Sequence, residues 1–277
     1  MKSRGNSMMK TLRISFSLKN TYRINSIYYG FKQIPVIKKI LPESLYAAGG
    51  FKLVVSILSV IWEIISGFIG KFIYIFFMIF MVSALFSKTP QSEAFVNILF
   101  FLTFIGALLN TFIFDPSKDK YYAVVLLRID AREFAIVNYA YELCRILIGF
   151  LVFGLIFGVL SNVPVYVMLI VPLFVVCAKL TVSAFILWSY ENHNHGKIKI
   201  NISENRLGSF KVILAILFLA AAYGLPALGF CPPVSALFVL MLFVIVIGVF
   251  SCRRIVTFDK YRRSEERRVG KECRSRW

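Results

Sequence analysis

Acidic and imidazole side chains are in short supply in this chain. Fourteen Asp and Glu stand against 32 Lys and Arg in 277 residues, and there are two histidines. His193 and His195, in the stretch YENHNHGK, are one residue apart with no evident third ligand, so a solvated polar loop is a better reading than a metal site. Cysteine is equally thin. Cys144, Cys177, Cys231, Cys252 and Cys273 form no Cys-x-x-Cys pair, which argues against a disulfide framework and a zinc cage and leaves buried free thiols as the expectation. No Gly-x-x-x-x-Gly-Lys-Ser/Thr loop occurs, so the chain cannot hydrolyse ATP by itself. His-Glu-x-x-His, the Gly-x-Ser-x-Gly elbow and the paired aspartates of lipid-headgroup transferases are missing as well. No catalytic residue, cofactor or metal is therefore expected. The first 44 residues are basic and polar and lack the apolar core of a secretory signal.

What the chain has is hydrophobic length. Six stretches, Ile64–Ser87, Glu93–Phe114, Tyr139–Ser161, Val163–Ser189, Ser209–Phe230 and Pro233–Ser251, each match the ~20 residues that cross a hydrocarbon core of about 30 Å. Nine basic residues fall in Met1–Pro42, five in Lys118–Arg145, four in Lys197–Lys211 and four in Arg253–Arg262, while the intervening turns hold Lys88 alone. By the positive-inside rule both termini face the cytoplasm. The expected fold is all-α: a multi-pass membrane protein with six transmembrane helices and an N-terminal interfacial segment. Residues 1–50 form the basic cytoplasmic or interfacial part, 51–252 the membrane domain and 253–262 a cytoplasmic tail. The basic charge is split among loops and forms no single stripe, so anionic lipid headgroups are the expected partner and nucleic acid is not.

The last fifteen residues, RSEERRVGKECRSRW from Arg263 to Trp277, resemble the in-frame translation of a common DNA-sequencing adapter. Such scars are set aside before fold reasoning. The tail carries six basic and three acidic residues, so residues 1–262 keep +15 of the formal +18. The expectation is a frame that continues past Arg262.

Ahead of the first span, Met9–Tyr29 mixes Leu12, Ile14, Phe16 and Leu18 with Lys10, Arg13, Lys19 and Arg23, a composition suited to the headgroup level or to a solvated arm. In Phe51–Phe86 the residues Lys52, Ser56, Ser59, Glu63, Ser66 and Gly70 recur at spacings of four and three, one helical stripe. At 36 residues this segment is too long for one upright span, and Lys71 is expected to mark the membrane entry. The stripe reads as a seam of small residues packed on other helices, or as a substrate-lining face that includes Glu63.

Between spans two and three lies FDPSKDKYYAVVLLRIDAREFAIVNYAYELCR, Phe114–Arg145. Asp115-Pro116 signals the stop of the second span. Asp130 with Glu133 three residues on has the form of a capping box, predicting a helix from there to Leu160 whose first turns project from the membrane. Asn138, Glu142, Arg145 and Gly149 share one face of it, and Glu142 with Arg145 can carry charge into the membrane boundary as a pair. Asn110 falls near the cytoplasmic end of the second span and Lys179 deep in the fourth, the latter snorkelling, internally bonded or lining a pathway. Pro172 and Pro226 interrupt their helices, and Gly154-x-x-x-Gly158 has the spacing of close helix approach.

Three ordered elements, RISFSLKNTYR (Arg13–Arg23), KQIPVIKKILPESLY (Lys32–Tyr46) and the DPSKDKYY…RIDARE…NYAY loop, together with the six-span layout, resemble the N-terminal part of ABC exporter permeases of Gram-positive bacteria. The resemblance covers most of Met9–Arg262, and it implies a place in the bacterial cell membrane and a further half of the protein, or a second permease, that completes the domain. It implies a separate ATP-binding subunit that docks on short cytoplasmic helices, a role that falls on Asp115, Arg128, Asp130, Arg132 and Glu133. An ion-coupled carrier and a non-transporting membrane scaffold are the alternatives. The few acids inside the spans, Glu63 and Glu142, weigh against the carrier.

Overall fold

The structure, a computed structural model, describes residues 8–18, 20–21, 25, 33, 49–110, 123–124, 127–193 and 207–258. Among them every regular element is helical. Helix α1 covers residues 8–18. Helix α2 begins as Gly49–Ile73, widens to a π-helix over Tyr74–Met81 and closes with the turn Val82–Leu85. Then follow α3 (Gln91–Leu109), α4 (Ala131–Leu160), α5 (Val165–His193), α6 (Leu207–Leu228) and α7 (Val234–Thr257). Six of them, Ser56–Leu85 within α2 and the spans of α3 to α7, are long and apolar enough to cross a membrane. This is the architecture of a multi-pass membrane protein, as the hydrophobic stretches predicted.

Three short turns join the helices in pairs, and each is closed by local chemistry. After α4, Asn162 takes the left-handed conformation (φ 58°). The amides of Val163 and Asn162 then donate to the carbonyls of Gly158 and Val159 at 2.9 and 3.0 Å, a Schellman ending. After α6, Gly229 (φ 82°) does the same, with Phe230 donating to Leu225 and Gly229 to Pro226. Each turn then runs into a proline, Pro90, Pro164 or Pro233, whose carbonyl accepts the first amides of the next helix. Proline has no N–H to leave unpaired at a helix start.

One boundary differs from the sequence reading. The second span stops at Leu109, not at Phe114, because Asn110 leaves helical geometry and ends the hydrogen-bond ladder. Lys71 lies in mid-helix, within the stretch Ser56–Leu85 that is long and apolar enough to cross. The π-helical run YIFFMIFM was not foreseen; the hydroxyls of Tyr223 and Ser83 take carbonyls in it, Met78 at 3.1 Å and Phe80 at 2.8 Å.

The chain divides into two compact units. One comprises Met1–Ile69 and Ser117–Asn138. Within it Thr11 and Ser15, one turn apart on α1 and both buried, donate to the Glu133 carboxylate and the Asn138 side-chain oxygen at 3.3 and 2.7 Å. Of the predicted stripe, Ser56 accepts from Asn20 and Ser59 is buried, whereas at Gly70, in the other unit, an added Cβ would meet no neighbouring atom within 4 Å. The other unit is Gly70–Pro116 with Tyr139–Trp277. In it α7 lies along α5, α6 along α3, and α3 contacts both α5 and α7. Phe95, Ile98, Leu99, Phe174, Val171, Leu237 and Met241 form its core, with Phe100 stacked on Phe174 at 5.3 Å. Of the Gly154/Gly158 pair only Gly158 makes a close approach, where a Cβ would strike the Met168 side chain; Gly154 faces open space.

Candidate functional site

Lys179 is the most buried charged side chain among the described residues, and its surroundings explain how it is tolerated. Its residue is 7% exposed, so the ammonium must be paired or bonded. Nζ lies 3.2 Å from a carboxylate oxygen of Glu142 on α4 and donates to the carbonyl of Asn110 at 3.0 Å. Asn110 is the C-cap of α3, so the lysine also sits at the negative end of that helix dipole. One side chain from the middle of α5 thereby ties the C-terminal end of α3 to the middle of α4.

A second strand of the network runs beside the first. The Ser183 hydroxyl donates to the Lys179 carbonyl at 2.7 Å and lies 2.7 Å from the Tyr139 hydroxyl, which leaves Tyr139 as the donor between them. Both side chains are buried. The Tyr139–Ser183 and Glu142–Lys179 contacts therefore brace α4 against α5 over one helical turn.

Lys71 joins from α2. Its stem lies on Gly149 of α4, where a Cβ would come within 2.9 Å of Lys71 Cγ, and its ammonium stands 5.9 Å from the Phe150 ring centroid. Arg145 is one turn from Gly149 on the same face, and its Nε is buried and makes no hydrogen bond. The charges of Lys179, Arg145 and Glu142 all reach Lys71. Lys71 and Arg145 thus lie near the Glu142–Lys179 ion pair.

The depth of this cluster follows from helix geometry. Lys71 lies 14 residues before Leu85 and Lys179 14 residues after Val165, about 21 Å from the short-turn end. Arg145 lies 15 residues before Leu160 and Glu142 18, or about 22 and 27 Å. In a core of about 30 Å the cluster therefore occupies the part nearest the long loops and reaches its edge. Glu142, with a side chain 41% exposed, is on its open side. An apolar cavity of about 250 Å³ lies nearby between α3, α5 and α6, walled by Phe104, Phe185, Phe210 and Phe218.

Of the residues singled out by sequence, the structure brings Asn110, Glu142, Arg145 and Lys179 together. Glu63 lies in the other unit, on α2, half-buried. There the loop residues fall at the start of α4. Asp130 accepts the amide of Arg132 at 3.2 Å and its carbonyl takes the amide of Phe134, an N-cap, while Glu133 receives the Thr11 hydroxyl. Arg128 is exposed and left-handed (φ 52°), and the next amide, of Ile129, donates back to the Ala123 carbonyl. Asp115, His195, the Lys32–Tyr46 motif apart from residue 33, and the Arg263–Trp277 tail lie outside the described residues.

Sequence reasoning missed Lys71 as a member of the cluster, and missed Tyr139 and Ser183. Lys71 could have been found from Gly149, since a glycine on the Glu142–Arg145 face offers room for a long side chain from a neighbour. Compared with family models, curated proteins and solved structures, the chain matches none.

Proposed function

We propose that the chain is the transmembrane permease subunit of an ATP-driven exporter in a bacterial cell membrane, with both termini cytoplasmic and ATP hydrolysed on a separate subunit. The observation that carries the reading is the entry to α4: an exposed Arg128, the Asp130 cap and Arg132, braced by α1 through Thr11 and Ser15. A helix start fixed in this way transmits a push along α4, and Glu142 and Arg145 lie further along the same helix. The alternation of basic loops supports a cytoplasmic position for it. The RIDARE stretch that forms it is also where the resemblance to exporter permeases falls. Co-expression with a candidate ATP-binding subunit tests the reading. Reversing Arg128 and Arg132 to Glu abolishes co-purification while membrane insertion persists; co-purification at the unaltered level would remove the docking assignment.

An ion-coupled carrier is the second reading, favoured by the Glu142–Lys179 pair within the spans. Transport that needs no ATP-binding subunit and collapses with the proton gradient distinguishes it.

A further inference from the structure

We infer that the Lys71–Arg145–Lys179 cluster is a binding site for a phosphate-type oxyanion presented at the loop-end edge of the membrane, carried by an anionic lipid or by a soluble anion. The inference rests on reading α2 to α7 as membrane spans, and not on the exporter reading.

Charge is the first ground. Lys71 and Arg145 lie near a carboxylate that is already paired with Lys179, at a depth where each unpaired charge is costly. Glu142 is committed to Lys179 at 3.2 Å, and Lys179 gives a further donor to Asn110. Lys71 rests against an aromatic face and Arg145 keeps a buried Nε without a hydrogen bond. A buried guanidinium nitrogen without an acceptor is a deficit that an incoming oxyanion fills, and guanidinium and ammonium groups together are the usual donors to phosphate.

Shape is the second ground. Gly149 opens the room in which the Lys71 stem lies beside Arg145, and Glu142 is exposed enough to mark an entrance. The position is that of a headgroup phosphate, near the edge of the hydrocarbon core. Glu142 sets the polarity of the site: with it neutralising Lys179, the remaining excess is carried by Lys71 and Arg145, and these two are the anion's direct partners.

The test uses the purified full chain in uncharged detergent. Retained phosphatidylglycerol and phosphatidylcholine are measured by native mass spectrometry, and thermal stabilisation by inorganic phosphate is measured in parallel. Selective retention of phosphatidylglycerol assigns a lipid source. Stabilisation by phosphate with no lipid preference assigns a soluble anion. In either arm Arg145→Gln and Lys71→Gln lower the effect by about tenfold, the scale of one charge-assisted hydrogen bond. Arg145→Lys restores part of it, and Lys88→Gln at the short-turn end leaves it unchanged. Equal retention of both lipids with no response to phosphate overturns the site, as does an undiminished response in a monodisperse Arg145→Gln protein.

Discussion

The side-chain amide of Asn97 donates to the carbonyl of Ala222 at 3.2 Å, and that carbonyl is the acceptor that Pro226 leaves open four residues later. Asn97 is fully buried on α3, and its amide also lies 3.4 Å from the Ala221 carbonyl. A proline inside a spanning helix is tolerated where a neighbour satisfies the freed carbonyl, and here a single amide does so.

Replacing Asn97 by Leu keeps the branched shape and removes the donor. The protein is expected to lose about 0.5–2 kcal/mol, the range for one hydrogen bond inside a membrane bundle. Adding Pro226→Ala restores an N–H in the helix and recovers part of the loss. Thermal unfolding of the four members of this cycle measures it; equal losses with and without Pro226 would mean that the two residues are uncoupled.

Glu142 and Lys179 are expected to be coupled. Lys179→Met leaves both the Glu142 carboxylate and the Asn110 carbonyl without their cation, and destabilises more than Glu142→Gln, which keeps an oxygen acceptor. The double variant should fall short of the sum by roughly 0.5–3 kcal/mol. Additive losses would dissolve the pair.

Two glycines should respond in opposite directions. At Gly248 on α7 a Cβ would come within 2.7 Å of the Cys177 Cα on α5, a backbone atom that cannot step aside. Gly248→Ala is therefore expected to cost about 1–3 kcal/mol by overpacking. At Gly154 no atom lies within 4 Å, and Gly154→Ala is expected to be neutral or to gain about 0.5–1 kcal/mol of helix stability. Thermal unfolding of both variants gives the comparison.

In the turn between α6 and α7, burial pushes the Cys231 thiol up, and the nearby Glu93 carboxylate adds to the shift. Alkylation proceeds through the thiolate, so the rate at Cys231 climbs at a pH above that of an ordinary cysteine. Glu93→Gln removes the negative charge, lowers the thiol pKa and speeds alkylation at a fixed mildly alkaline pH. An unchanged rate profile would separate Glu93 from the thiol.

The six spans were legible because each is an unbroken apolar run of membrane length. The N-cap at Asp130 was legible because capping is local chemistry read from adjacent residues. Asn162 and Gly229 carried the signature of their turns, which periodicity alone passes over. The end of α3 was misplaced because what fixes it is a lysine 69 residues away, bonded to the Asn110 carbonyl. The cluster as a whole was out of reach for the same reason: Glu142 and Arg145 were marked as a pair by spacing, whereas Glu142 meets Lys179, 37 residues on, and Lys71 comes from another helix.

The docking of an ATP-binding subunit requires the long loops to lie in the cytoplasm. The most direct test is labelling of intact cells with a membrane-impermeant maleimide at mildly alkaline pH. It uses one variant that keeps Cys231 as its sole cysteine and another in which Arg128→Cys supplies the sole thiol. Labelling of Cys231 in intact cells, and of the thiol at position 128 only after permeabilisation, is the predicted result. Labelling at position 128 in intact cells, with Cys231 protected until the membrane is opened, would invert the topology and contradict the exporter reading.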